Sequence, residues 1–172
     1  MRIIKHQVII FSIILSVTSC YSYKKNAAKE DFLMFANLSR PITEKFNDLI
    51  PVIGEYNSKR NSGTNDTSLY NMIKSDHSGL IDYIDFAIDS INNISPVDDG
   101  FKKSVLNYLN NCKLIFDNDY GEIIAILDKE LEEEEIKKYS ELKIKIVQKL
   151  QMAEIELKSA SDVYIYKYKI EI

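Results

Sequence analysis

The sequence predicts an all-α protein, an antiparallel up-down four-helix bundle that follows a short N-terminal segment. Three observations support this fold class. Apolar residues recur with a helical period after residue 27, polar segments separate four such stretches, and strand patterns are nearly absent. Apolar residues make up 45% and charged residues 28% of the 172 residues, which is typical of a globular chain. We therefore expect one domain with its own core over residues 28–172.

The first predicted helix runs from about Ala28 to Asn57. Its apolar residues lie on one helix face, as one row with seven-residue spacing and a second set that fills the gaps. The row is Phe35, Ile42, Leu49 and Tyr56, and the second set is Leu38, Phe46 and Ile53. Pro41 and Pro51 interrupt this helix, and a break with a new helix beginning at Pro41 is the alternative.

The second predicted helix follows a polar loop over residues 58–67 that has Gly63 at its centre. Asp66 or Thr67 is expected to cap this helix, which runs to about Asn93. Its apolar stripe consists of Ile73, Leu80, Ala87 and Ile94, with Ile84 and Ile91 beside them. His77 occupies a position in the stripe, and the neighbouring Ser78-Gly79 predicts a kink or an opening there.

The third predicted helix has the clearest start in the chain. Ser95 is expected to cap it, Pro96 suits its first turn, and Asp98 can close a capping box. Its apolar stripe is Phe101, Val105, Tyr108, Cys112 and Ile115 or Phe116. Gly121 leaves two alternatives open, since it either forms the turn into a fourth helix or lies within a third helix that runs on past Ile126.

The apolar pattern of the fourth predicted helix is strongest from Tyr139 onward. Its two rows are Tyr139, Ile146, Ala153 and Ala160, and Leu142, Leu150, Leu157 and Tyr164. The tail over residues 163–172 alternates as a strand would, so that Tyr164, Tyr166 and Tyr168 share one face if it is extended. The alternative is the frayed end of the helix.

These three tyrosines form the candidate interaction surface, because tyrosine is common at interfaces and an alternating tail can add to a partner's sheet. The competing interpretation is that they cap the end of the bundle.

No pattern in the sequence predicts catalysis, a cofactor or a metal site. His77 is the only histidine after the first 19 residues, so neither a histidine cluster for zinc nor a pair of Glu-x-x-His motifs for di-iron is available. Asp117-Asn118-Asp119 fails the calcium-loop pattern, since Gly121 and Glu122 fall at the wrong positions. The acidic run over residues 132–135 is interpreted as a solvated helix start. We therefore expect a protein that is not an enzyme.

The N-terminus has the order of a signal peptide. Residues 1–7 carry Arg2 and Lys5, and the apolar run over residues 8–17 is too short to span a membrane comfortably. The next four residues, Val17-Thr18-Ser19-Cys20, resemble the lipobox of bacterial lipoproteins. This resemblance covers only the first twenty residues.

The lipobox resemblance implies cleavage between Ser19 and Cys20 and acyl chains, such as palmitate, on Cys20, because two or three chains anchor a protein stably. Residues 1–19 would then be the signal peptide and residues 20–27 a lipidated tether. An ordinary cleaved signal or an uncleaved anchor is the competing interpretation. Cys112 would have no disulfide partner, so it is either a buried small hydrophobe or a lone thiol.

The charge of the chain agrees with a covalent tether. Loss of Arg2 and Lys5 leaves 20 basic against 26 acidic residues, so nucleic acid is not an expected partner and anionic lipid would not attract the domain. Tyr21, where an Asp would signal retention in the inner membrane, favours the outer membrane if the cell has two. The expected role is a lipid-anchored component of the cell envelope that binds an envelope protein. A module that holds an apolar ligand between its helices is the alternative.

The lipobox makes a direct prediction about processing. Mass spectrometry of the membrane fraction should find a mature N-terminus at a lipid-modified Cys20, and Cys20→Ala should abolish both cleavage and acylation. Any other mature N-terminus would contradict the assignment.

Overall fold

The computed structural model describes the backbone of residues 2–129 and 133–171, with side chains from residue 22 onward in those ranges. Over these residues the chain is an all-α four-helix bundle without strands, as the sequence predicts. Its elements are α1 (Arg2–Asn61), α2 (Thr67–Asn92), α3 (Asp99–Leu114), a π-helical turn (Ile115–Tyr120), α4 (Gly121–Leu127) and α5 (Glu133–Tyr168). The segment from α3 to α4 is continuous and acts as the third helix of the bundle.

The four helices pack in a ring in which each contacts its two neighbours. α1 lies between α2 and α5, and α3 lies between α2 and α5 on the other side, so α2 and α5 are diagonal. The N-terminal and C-terminal ends of the domain lie side by side. Lys25 pairs with Glu171 at 3.1 Å, and the Tyr164 hydroxyl donates to the Ala28 carbonyl at 3.1 Å. These contacts fix α5 antiparallel to α1.

The core is built from the apolar stripes that the helical period predicts. On α1 the buried members are Phe35, Ile42, Phe46, Leu49, Ile53 and Tyr56, and on α2 they are Ile73, Leu80, Ile84, Ala87 and Ile91. Leu38 and Ile94 are only partly buried. Full burial of a large apolar side chain contributes about 1.5–3 kcal/mol, so these stripes dominate the stability of the bundle.

α1 is continuous through both prolines, and the predicted alternative of a break at Pro41 does not occur. Proline removes a backbone donor and disturbs the helix on its N-terminal side. Two side chains also bond carbonyls in the turns before Pro41: the Tyr83 hydroxyl donates to the Leu38 carbonyl at 3.2 Å, and the Ser39 hydroxyl donates to the Phe35 carbonyl at 2.9 Å. The helix also extends to Asn61, so the loop is shorter than the predicted residues 58–67.

α2 begins as predicted at an Asp66 cap, whose carboxylate accepts from the Leu69 N–H at 3.0 Å. The helix continues through Ser78 and Gly79 without interruption. The predicted opening of the helix at these residues is therefore absent.

The predicted start of the third helix at Ser95 is wrong by three residues. The cap is Asp98, whose carboxylate accepts from the N–H groups of Gly100 at 2.9 Å and Phe101 at 3.1 Å. Residue 97 is held outside the helix, because its N–H donates to the Asp31 carboxylate on α1 at 2.7 Å. A tertiary hydrogen bond thus overrides the Ser-Pro start signal.

Gly121 does not form a turn, so of the two alternatives the helix that runs on past Ile126 is correct. Its φ of −56° and ψ of −38° are helical, and its N–H donates to the Phe116 carbonyl across the π-helical turn. A π-helical turn inserts an extra residue into a helix and shifts the faces of the residues that follow. The register change buries Asp119 and Tyr120 side by side.

The C-terminal tail is helical to Tyr168, so the strand alternative is wrong. Lys169 adopts a left-handed conformation with a φ of 51°. Its N–H donates to the Tyr166 carbonyl and the N–H of Ile170 donates to the Ile165 carbonyl. This is the hydrogen-bond pattern of a Schellman cap, and the burial of Ile170 against the core closes the helix end.

The cap at Asp98 supports a stability prediction. Asp98→Ala removes the acceptor for two helix N–H groups, and we expect a loss of about 1–2 kcal/mol in the free energy of unfolding. Urea denaturation followed by circular dichroism measures it. The neighbouring Asp99→Ala is the control and should cost less than half as much, because the cap remains in place.

Candidate interaction surface

The predicted lipidation site lies outside the described side chains. The structure therefore bears on neither Ser19 nor Cys20. The tether prediction, residues 20–27, stays a prediction too, although residues 22–27 belong to α1 and Lys25 among them pairs with Glu171.

The three tyrosines of the tail do not share one exposed face, because the tail is helical. Tyr164 is 2% exposed and stacks on Phe101, with ring centroids 4.2 Å apart. Tyr168 is half-buried and its hydroxyl donates to the Asp98 carboxylate at 3.3 Å. These two cap the end of the bundle, as the competing interpretation expects. Tyr166 is 87% exposed and points away from them.

Tyr166 is one end of an exposed apolar row along the outside of α5. We call this row the α5 outer face, and its members are Ile144, Met152, Ile155, Val163 and Tyr166. All five are at least 60% exposed, and at 100° per residue they lie within a sector of about 100° opposite the buried row of the same helix. α5 therefore carries two apolar faces, of which the bundle buries one.

A groove between α3 and α5 borders this face. It has a volume of about 630 Å³ and is open to solvent. Its apolar walls are Phe101, Ile155, Ala160, Val163 and Tyr164. We call it the α3–α5 groove. Because it shares Ile155 and Val163 with the α5 outer face, the two form one continuous surface.

One end of the groove is closed by an ion pair. Lys167 lies 2.6 Å from the Asp98 carboxylate, which also caps α3. The Lys167 ammonium, aided by backbone N–H groups, holds the pKa of Asp98 below its ordinary value despite partial burial. The pair links the start of α3 to the end of α5 and fixes the groove's width there.

A second ionic cluster holds the other half of α5 in place. Asp119 is the one buried charged side chain among the described residues, and it pairs with Lys145 at 2.8 Å and with Lys149. Burial alone would raise the pKa of Asp119, but the two ammonium groups outweigh burial and lower it. The π-helical turn makes this cluster possible, since it carries Asp119 to the side that faces α5.

The two residues with the most reactive side chains are held by packing. His77 is partly buried and stacked on Tyr120, and its Nε2–H donates to the Phe116 carbonyl of the π-helical turn at 2.8 Å. Cys112 is fully buried, and burial raises the pKa of its thiol to about 12. Its thiol is therefore protonated at neutral pH, which makes it a poor nucleophile.

The space between α1, α4 and α5 is small. At the level of Phe46, Ile53 and Tyr120 the void between these helices has a volume of about 20 Å³. A single water needs about 10–15 Å³ by such a measure, so this void cannot hold an organic ligand. Within the described ranges, no group of three or more His, Cys, Asp or Glu side chains could hold a metal ion.

No family model matches the chain, and comparison with curated proteins and with solved structures also finds no match. Among the residues that the structure describes, none of the helices has both the length and the apolar composition needed to cross a membrane.

The sequence contained a signal for the α5 outer face that the helical-period analysis passed over. Ile144, Ile155 and Tyr166 are eleven residues apart, as are Met152 and Val163. An eleven-residue spacing returns to within about 20° of the same side of a helix. The rows predicted for α5 include Leu142, Ile146 and Leu150, which the core buries, so this additional row is the one left exposed.

The Asp119 cluster leads to a pH prediction. Because the folded pKa is lowered, the stabilisation is complete above the ordinary value near 3.8 and is lost as the pH falls through the folded value. Asp119→Asn should therefore cost about 1–2 kcal/mol in urea unfolding at pH 6, and much less near pH 3. Asp117→Asn is the matched control, because Asp117 is exposed in the same turn. An equal cost at both pH values would contradict the assignment.

Proposed function

We propose that this chain is a lipid-anchored component of the cell envelope that works by binding another protein, without catalysing a reaction. The binding surface is the α5 outer face together with the α3–α5 groove. The observation that carries the proposal is that α5 exposes five large apolar side chains in one row. Soluble monomers rarely leave such a row in water, and an exposed apolar patch of this kind marks an interaction site.

The geometry of the surface suits a helical partner. The row from Ile144 to Tyr166 extends over about 33 Å, and the groove beside it is open to solvent. Amphipathic helices bind in such grooves through side chains that repeat every three or four residues. Tyr166 and Met152 are residue types enriched at protein interfaces.

The anchor in this proposal is lipid on Cys20, and the location is the outer membrane if the cell has two. The lipobox resemblance supports the anchor, and the absence of an Asp at position 21 supports the location. In the antiparallel bundle Glu171 lies beside Lys25, so the C-terminal end of α5 is at the tethered end of the domain.

The alternative function, a module that holds an apolar ligand between its helices, has less support. The void of about 20 Å³ between α1, α4 and α5 leaves no room for such a ligand at that level of the bundle. The α3–α5 groove is large enough, yet its openness to water would leave an apolar ligand half solvated, whereas binding pockets bury most of their ligand.

A charge placed on the binding surface tests the proposed function. Tagged full-length protein is crosslinked in intact cells and purified, in the wild-type form and as Ile155→Asp. We expect Ile155→Asp to reduce capture of the partner by about tenfold or more, because a carboxylate in an apolar interface must be desolvated.

Phe86→Asp is the matched control. Phe86 is 59% exposed on α2, the helix diagonal to α5, so this variant should capture the partner as the wild type does. If Ile155→Asp captures as much partner as the wild type, the proposed surface is overturned. If Cys20→Ala captures as much partner as the wild type, the anchor is dispensable for binding.

A further inference from the structure

The α5 outer face has the properties of a surface that pairs with itself. Its five members and Leu114 of α3, which is 58% exposed beside Met152, form an apolar surface on the order of several hundred Å². An interface of standard size buries about 800 Å² on each partner, so the face is of the size that one partner contributes. A second copy of the chain presents the same face and would cover it.

The row is long and keeps to one side of the helix. The eleven-residue spacing corresponds to 3.67 residues per turn, slightly more than the helical period, so the row drifts around α5 by only about 20° per repeat, in the sense opposite to a heptad row. The polar gaps at Gln148 and Ser159 repeat with the same spacing. Two such helices can pack along their whole length with large side chains and small gaps at matching heights.

We propose that the partner of the α5 outer face is a second copy of this chain, packed in parallel about a twofold axis that runs along the bundle. This inference rests on the proposed function, since it names the partner of the same surface. The direction follows from the tether. Lys25 and Glu171 meet at one end of the bundle, so two copies anchored in one leaflet hold their α5 helices parallel.

Charge agrees with parallel pairing. In such a dimer each residue of the row lies opposite its own copy, so uncompensated charges along the border would repel. The three lysines on the α3 side of the face are compensated within the chain, Lys145 and Lys149 by Asp119 and Lys167 by Asp98. The exposed Glu156 lies on the same border, so this side carries both signs. On the other border Lys158 and Asp162 are one helical turn apart, so each copy presents both signs.

Anchoring also favours the pair energetically. An apolar interface of about standard size gives only a modest affinity by itself. Confinement of both copies to one membrane raises their effective concentration. A dimer that is weak in solution is therefore populated at the membrane surface.

Cysteine crosslinking of the full-length protein in intact cells tests the proposal. Gln148→Cys and Ser159→Cys, made separately, place a thiol in each polar gap without removing apolar area, and both positions are exposed. Under mild oxidation we expect each variant to form a disulfide-linked species of twice the monomer mass. The native Cys112 does not interfere, because it is fully buried.

Controls fix the direction and the surface. Ser75→Cys, at an exposed position on α2, should remain monomeric under the same oxidation. Adding Ile155→Asp to Ser159→Cys should reduce the linked species by about tenfold or more. An antiparallel pair centred on Ile155 would bring position 148 near position 162 and would link neither single variant. Circular dichroism of each variant verifies that the bundle is folded.

Each outcome separates this proposal from the proposed function. Self-linkage at both positions supports the parallel dimer. Linkage to a species of another mass overturns the dimer but supports the surface as a site for a different protein. If neither variant forms a linked species, the dimer is overturned. If Ile155→Asp also leaves partner capture unchanged, the proposed function fails as well.

Discussion

Burial of the apolar stripe of α1 is the interaction on which the rest of the bundle depends. α1 contacts α2 and α5 directly, and its stripe supplies core side chains from Phe35 to Tyr56 along the whole height of the domain. Because a helix of this length cannot bury such a stripe by itself, the other three helices must gather on one side of it. The prolines in α1 are tolerated for the same reason, since packing on both sides of each proline outweighs the lost hydrogen bond.

That constraint explains where polar groups are found in the interior. Antiparallel packing brings the start of α3 and the end of α5 together, and Asp98 serves both as a helix cap and as the partner of Lys167. In the other half of the bundle, the π-helical turn re-aims one buried carboxylate toward two lysines of α5. A π-helical turn is a rare irregularity, and here the Asp119 cluster and the stacked His77 and Tyr120 rings give it a structural role.

The same bundle leaves α5 with an apolar row that has no partner. The core takes one row of α5, and the second row, on the opposite side of the same helix, is left outside. Its exposure is therefore a consequence of the fold. The surface that follows from it is the α5 outer face with the α3–α5 groove.

The sequence alone determined the fold class, the four helices and most of the core, because a helical period of apolar residues directly encodes which face is buried. It also placed the cap of α2 at Asp66 or Thr67 and contains the resemblance that predicts lipid on Cys20. Tertiary structure decided the helix ends and the surface. The Val97 N–H bonds Asp31 from a distant helix, which moves the third helix start to Asp98, and register across the π-helical turn decides that Gly121 is helical. The place of Tyr166 depends on the tail being helical, which the packing of Tyr164 on Phe101 and the burial of Ile170 decide. No local pattern carries that information, because the side chains that compete for the core are far apart in the chain.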